Sequence, residues 1–252
     1  MKILTFNIRC DFGQDGKNNF VNRKEHIKAK LLQEKPDIIG FQEVLPHVAL
    51  WLKENLPDYH FIGCGRSKEL SDEQTTVGFR KEKFELMKME THWLSPTPDV
   101  PGSRYADQSS CPRTFTEAVL KPVDSSRPLR IINTHLDHEG VGARLEGLSQ
   151  IFNWVRDNRF MPDVPTFITG DFNFQPTDEE MDLIREHKEF TNLTEDAGIT
   201  YHDFGNKEHE VRIDYILARG GVKLVKLEKW TDSFDGVYFS DHYPVCATVE
   251  LV

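Results

Sequence analysis

No stretch of about 18 consecutive apolar residues occurs in the 252-residue chain, so no segment reads as a transmembrane helix. Cysteine is scarce: the four, at 10, 64, 111 and 246, include no CxxC pair, which argues against a structural zinc site. Reduced and mostly buried thiols are expected instead. No run of five or more Lys/Arg is present, and the formal net charge is −10. That balance disfavours a broad surface for capturing duplex nucleic acid, although it allows a small positive site, above all one carrying a metal ion. No basic, apolar leader precedes the first alternating segment, so a cytoplasmic location is the expectation. Repeats with a period of 20–50 residues and low-complexity linkers are also missing, which predicts one domain over residues 1–252.

What is present is material for a large core. Hydrophobic residues make up 38% of the chain, with 17 Phe and 4 Trp, too apolar a composition for disorder. A chain of this length buries roughly 70–75% of its unfolded surface.

Residues 2–9 (KILTFNIR) alternate as a strand does, with Leu4, Phe6 and Ile8 on one side. Asn22 suits the cap of a helix ending near Glu34 before Pro36, and Pro46 opens a second helix after the short strand 37–42. Strands are predicted near 59–64, 75–80, 84–94, 114–121 and 129–136, with a Pro/Ser/Gly-rich loop over 96–112. A third helix covers 141–158 and a further strand 165–169. Thr177 with Glu180 fits a capping box for a helix to about His187, and the last strands lie near 211–218, 222–230 and 243–251. Many strands and about four helices without regular interleaving point to an α/β (α+β) fold: two packed sheets with helices on the outer faces.

Strands of this apolarity should end in turn residues, yet several end in chemically useful ones. Asn7 closes KILTF, Glu43 closes DIIGFQ, His135 closes LRIINT, and Asp171 and Asn173 close TFITG. Asp214 interrupts VRIDYIL, and Asp241 and His242 stand before YPVCATVEL. Asn7, Glu43 and Asp241 are hard oxygen ligands of the kind Mg²⁺ or Mn²⁺ prefers. His135 and His242 suit hydrogen bonding to phosphate oxygens, Asp171 suits a water-orienting base, and Asp214 suits holding His242 in one tautomer. Together these types resemble a metal-assisted phosphoester hydrolase site.

LTFNIR, FQE, NTHLDH, ITGDFNFQP, RIDYIL and SDHYPV, in this order, resemble the motif set of the endonuclease/exonuclease/phosphatase family, from Leu4 to Val245. The resemblance implies a four-layer α/β/β/α sandwich of mainly antiparallel sheets, a Mg²⁺-dependent phosphoester hydrolase and no covalent intermediate. It implies that Asn7, Glu43 and Asp241 surround the metal, that Asp171 activates water, and that Asn173 helps place water and phosphate. It further implies that His135 and His242 contact phosphoryl oxygens and that Asp214 pairs with His242.

LSPTPDVPGSRY, CPRTF and THLDHEGVGAR resemble a bacterial branch of the family. There Arg113, Arg144 and His138 are candidates for holding phosphate or another anionic part of the substrate, with ordinary salt bridges the equal alternative for the arginines. Arg9, Asp11 and Asn18 are candidates for the mouth of the site, against a solvated loop. Charge and the lack of insertions favour a phosphodiesterase acting on a single-stranded nucleotide end or a small phosphodiester. A phosphomonoesterase on a sugar or nucleotide phosphate is the alternative, and a non-catalytic module of the same fold a third reading.

Overall fold

The computed structural model describes residues 1–158 and 160–252. The strands are β1 (Lys2–Asn7), β2 (Ile38–Val44), β3 (Tyr59–Ile62), β4 (Gln74–Arg80), β5 (Phe84–Trp93), β6 (Thr114–Pro122) and β7 (Leu129–His135). They continue as β8 (Thr166–Asp171), β9 (Phe190–Asn192), β10 (Asp214–Arg219), β11 (Val222–Lys229), β12 (Ser233–Phe234), β13 (Val237–Tyr238) and β14 (Val245–Leu251). The α-helices are α1 (Phe20–Glu34), α2 (Pro46–Asn55), α3 (Val141–Asp157) and α4 (Glu180–Glu186). Two six-stranded sheets run β11-β14-β1-β2-β4-β3 and β5-β6-β7-β8-β10-β9, and β12 and β13 form a separate hairpin.

Each large sheet holds one parallel pair, β1 with β2 and β7 with β8, and the other pairings are antiparallel. A parallel pair needs a crossover, and α1 and α3 supply the two. The sheets face each other across Ile3, Ile38, Val77 and Phe79 on one side and Ala118, Ile131, Phe167 and Ile216 on the other. Leu4, Phe6, Ile39 and Phe41 point the opposite way, against Ile27 and Leu31 of α1 and Val48 and Leu52 of α2. Ile132, Ile168 and Leu217 likewise meet Leu148, Ile151 and Phe152 of α3 and Ile184 of α4. The result is the four-layer α/β/β/α sandwich.

The strand period of two then places the chemistry. Ile3, Thr5 and Asn7 share the face of β1 turned to the other sheet; Ile131, Asn133 and His135 share that of β7, and Phe167, Thr169 and Asp171 that of β8. Pairing aligns His135 with Asp171 and Asp171 with Asp214. Apolar side chains therefore fill the gap between the sheets at one end, and polar ones occupy it at the other. The transition runs through a buried network in which Asn133 Oδ1 accepts from Gln42 Nε2 (2.7 Å) and Thr169 Oγ1 (3.1 Å). Gly40 makes room for it: a Cβ there would lie 2.2 Å from Thr169 Oγ1.

Three local expectations change. Asn19, not Asn22, precedes α1; Asn22 lies inside its first turn and donates from Nδ2 to the Lys17 carbonyl. The Thr177 capping box does not form, because Glu180 is buried against Arg144 and α4 begins only at Glu180. β10 starts at Asp214, since residues before it turn away: Val211 bridges Tyr201. β9 and the β12–β13 hairpin, two or three residues per strand, are too short to show a period. All four cysteines are free, and no helix among the described residues is long and apolar enough to cross a membrane.

Candidate active site

Three positive-φ residues turn the chain at the polar end of the sandwich: Arg9 (61°), Glu43 (63°) and Asn173 (54°). Non-glycine residues adopt this region at a cost, and such strain gathers where side chains must be aimed. Glu43 sits at a register shift between β2 and β4, which releases it from the ladder.

Asn7 Nδ2 donates to Glu43 Oε1 (2.9 Å) and to Asp171 Oδ2 (3.0 Å), while its Oδ1 accepts from the Arg9 backbone N–H (3.0 Å). The other Glu43 oxygen accepts from the Cys10 N–H (2.8 Å). Burial works against the charged form of Glu43, but these two donors, aided by His242 and Arg9, hold its pKa below the usual carboxylate range. Asp171 is held on its other oxygen by the Asn173 N–H (3.0 Å), and Asn173 Nδ2 donates to the Leu136 carbonyl (3.0 Å).

Two imidazoles flank Asp171: His135 Nε2 and His242 Nε2 each lie 3.6 Å from Asp171 Oδ2. Their surroundings differ. His135 is kept neutral, well below its ordinary pKa, by burial and then by Arg113, Arg66, His242 and His138. Burial also pulls His242 down, but Asp214, with Oδ2 at 2.8 Å from Nδ1, and Asp171 together push it up to about 10. Asp171 itself is pushed up to about 7, by burial first and then by Asp214 and Glu43 against the pull of His242. A neutral donor, a charged donor and a carboxylate poised near neutrality thus stand together, the separation of pKa values that acid–base chemistry requires.

Asp241 completes the group, with Oδ1 accepting from Ser240 Oγ (3.0 Å) and Oδ2 lying 3.3 Å from Arg9 Nη1. Burial raises its pKa, and Glu43 raises it further. Glu43, Asp171 and Asp241 therefore crowd negative charge into one place. Ligand atoms of Glu43, His135 and Asp171 lie within 4.8 Å of one another. Hard oxygens with excess negative charge fit a divalent cation.

These groups line a cavity of about 550 Å³. Of the residues expected at the site, Glu43, His135, Asp171, Asn173, Asp241 and His242 face it, together with Arg113 and His138. Asn7 and Asp214 lie beneath it, Asn7 bonded to Glu43 and Asp171 and Asp214 to His242. Arg144 lies outside the cavity: Nε donates to Glu180 Oε1 (2.6 Å) and Nη1 to the Asp137 carbonyl (3.2 Å), a buried pair between α3 and α4. Arg9 lines the cavity, whereas Asp11 pairs with His47 (3.0 Å) and Asn18 accepts from the Tyr238 N–H (3.0 Å). Arg66, Glu73 and Tyr201 also face the cavity, and sequence reasoning missed them. They come from the segment between β3 and β4 and the segment before β10, where no strand ends and no pattern marks them. The buried Arg66–Glu73 pair (2.9 Å) stands in a stretch, GRSKELSDE, that reads as solvated loop. A larger hollow, about 890 Å³, lies between β5 and α3 and holds none of the groups above.

The chain matches the Endonuclease/Exonuclease/phosphatase family model over residues 4–242. It is similar to a solved endonuclease/exonuclease/phosphatase from Bacteroides vulgatus at 30% identity, covering 100% of this chain and 98% of that one with a TM-score of 0.94. A mannosyl-6-phosphatase from Bacteroides thetaiotaomicron is similar at 25% identity, 99% of each chain and a TM-score of 0.89. TDP2 from D. rerio, solved with a single-strand DNA product, shares the fold at 17% identity, over 99% of this chain and 98% of that one, with a TM-score of 0.78. No curated protein matches the chain in sequence. The chain belongs to the endonuclease/exonuclease/phosphatase family of phosphoester hydrolases.

Proposed function

We propose that the chain, as one domain, hydrolyses phosphate monoesters of small polar alcohols, sugar or nucleotide phosphates, by direct attack of water on phosphorus, with Mg²⁺ as cofactor and Mn²⁺ as its substitute. The observation that carries the reading is Asp171 Oδ2 at 3.6 Å from both a neutral and a charged imidazole. Asp171 orients a water and takes its proton as the water oxygen bonds to phosphorus and the ester P–O bond breaks. His242, held charged by Asp214, and His135 donate to the phosphoryl oxygens, where charge builds in the transition state. Asn173 fixes Asp171 through its backbone N–H and borders the same space. Glu43 and Asp241, with Asn7 behind Glu43, would hold the cation, which supplies neutralisation of charge on the phosphoryl and leaving oxygens. No side chain is needed as a covalent carrier.

Three observations support a small monoester ahead of the single-stranded end or diester that the sequence put first. The cavity has the size of a small-molecule site. The chain's net charge of −10 repels a polyanion. The mannosyl-6-phosphatase is similar over the whole chain at 25% identity, while TDP2 at 17% carries the fold alone. Intact carboxylates and histidines argue against a non-catalytic module. The test is release of inorganic phosphate from a panel of sugar and nucleotide monophosphates in Mg²⁺, beside a diester, oligo-RNA and oligo-DNA. Preference for a monoester supports the reading, and preference for a diester or oligonucleotide overturns it.

A further inference from the structure

An alkoxide leaving group needs a proton as the ester P–O bond breaks. The groups around Asp171 are spent elsewhere: Asp171 takes a proton from water, and His242 and His135 serve the phosphoryl oxygens. The guanidinium groups of Arg9, Arg66 and Arg113 do not give up protons. Glu73 is held on both oxygens by Arg66, at 2.9 Å each. His138 has Nδ1 at 2.8 Å from Arg113 Nη2 and Nε2 at 3.5 Å from Glu139 Oε1.

Tyr201 lines the same cavity, half-buried, and its hydroxyl makes no hydrogen bond among the described residues. Its ring packs on the His242 imidazole, with centroids 4.9 Å apart and planes at 58°. The backbone pins it between two partners, for Tyr201 bridges both Val211 and His242. Its N–H donates to the Val211 carbonyl (2.9 Å), and its carbonyl accepts from the Val211 N–H (3.1 Å). The flanking residues are tied to the same turn: the Tyr243 N–H donates to the Thr200 carbonyl (2.6 Å) and the His202 N–H to the Asp241 carbonyl (2.9 Å). A phenol held this way is a preorganised donor. Burial first, and then Asp203 and Asp241, push its pKa up to about 12, with Arg9 pulling down and Glu43 adding to the rise. Those neighbours put the hydroxyl on the Asp241 and Glu43 side of the cavity, beside the carboxylates proposed to hold the cation. A cation there neutralises the leaving oxygen, so the hydroxyl borders the place where that oxygen departs.

We infer that the Tyr201 hydroxyl is the acid for the leaving alcohol: it hydrogen-bonds to the ester oxygen and passes its proton there as the P–O bond breaks. The inference rests on the monoester hydrolysis proposed above. The water oxygen bonds to phosphorus and its proton goes to Asp171. The electron pair of the ester P–O bond goes to the ester oxygen, which takes the Tyr201 proton and departs as the neutral alcohol. The tyrosinate then regains a proton from solvent, and Asp171 releases its own. An unactivated alkoxide is more basic than a tyrosinate, so the transfer runs downhill. A nitrophenolate is less basic and leaves without it.

The test compares wild type with Tyr201→Phe in Mg²⁺ on 4-nitrophenyl, 2,2,2-trifluoroethyl and ethyl phosphate and on the monoester that the panel above ranks first. Phenylalanine keeps the ring against His242 and removes only the hydroxyl, so the variant should melt close to wild type. Its loss in kcat/KM should grow with the basicity of the leaving alcohol, from small on the nitrophenyl ester to about 10²-fold on the ethyl ester and the preferred substrate. The trifluoroethyl and ethyl esters are nearly alike in shape, so a difference between them reports the proton and not the fit. On the preferred substrate, the ¹⁸O isotope effect at the bridging oxygen should rise in the variant, because an unprotonated oxygen leaves with more of its bond lost. A hydroxyl that only supported His242 would lower every substrate by one factor. An equal loss throughout, or no loss, with an unchanged isotope effect, overturns the role of Tyr201 and leaves the monoester reading standing. A wild type that releases phosphate from none of these esters overturns both.

Discussion

His242 Nδ1 stands 2.8 Å from Asp214 Oδ2, which is buried beneath the cavity that His242 lines. The pair converts a ring that burial alone would keep neutral into one that is charged at neutral pH, facing Asp171 with its other nitrogen.

Asp214→Asn keeps the shape and removes the charge that holds His242 protonated. kcat on a phosphomonoester should fall by about 10²- to 10³-fold, the usual loss for one preorganised donor at a developing oxyanion. KM should change far less, because the interaction strengthens in the transition state. Steady-state kinetics at pH 7 make the check.

Glu43 raises the pKa of both Asp171 and Asp241. Like charge is therefore crowded at this site, and a bound cation would relieve it. Mg²⁺ should raise the melting temperature of wild type through preferential binding to the folded state. Glu43→Gln should abolish that rise, and in chelator it should melt somewhat below wild type, because its amide cannot accept from both Asn7 and the Cys10 N–H. Thermal scans with and without Mg²⁺ decide it; an undiminished Mg²⁺ shift in the variant would contradict the assignment.

The layers were legible in the sequence because the apolar period of two in strands such as β1 and β7, and the stripe in α3, survive intact between turn residues. The convergence of Asn7, His135 and Asp171 was legible for the same reason: each sits where an apolar alternation ends, and the same face parity carries them to one edge, while Asp214 stood out as a carboxylate interrupting VRIDYIL. Arg66, Glu73 and Tyr201 were not, because they come from irregular segments whose course is set by contacts distant in sequence. Helix starts failed where a local cap competed with a tertiary partner. Glu180 bonds Arg144 rather than its own backbone, and Asn22 is drawn into α1 while Asn19 Oδ1 serves the Asp15 N–H.

That Arg144–Glu180 pair gives a prediction that separates structure from binding. Arg144→Met leaves Glu180, 1% exposed, as a buried charge without its guanidinium. Stability should drop by about 3–5 kcal/mol, the usual cost of breaking a buried pair on one side. KM of the folded variant should stay near the wild-type value, since Arg144 does not line the cavity. Urea unfolding and kinetics on the same preparation test both halves.

His202 makes stability depend on pH. Its ring stacks on Tyr243 at 3.7 Å, Nδ1 accepts from the Gly205 N–H, and Nε2 is buried without a partner among the described residues. Burial first, and then the charge on His242, lower its pKa to about 4. The unfolded chain binds the proton near pH 6.5 and the folded one does not until about 4, so stability is lost as pH falls between those values and regained as it rises. The full effect is about 3 kcal/mol. His202→Asn, which keeps an acceptor for Gly205, should flatten the slope of unfolding free energy over that window by close to one proton. Urea titrations at pH 7, 6 and 5 measure it.

The central claim is that Asp171 activates water for attack on phosphorus in a metal-assisted site. Its most direct test is release of inorganic phosphate from a preferred monoester in Mg²⁺ and H₂¹⁸O, by wild type and by Asp171→Asn. The account predicts one solvent oxygen in the phosphate, loss of activity in chelator, and a fall of at least about 10²-fold in the folded variant. Full turnover by Asp171→Asn, or phosphate without solvent oxygen, would contradict it.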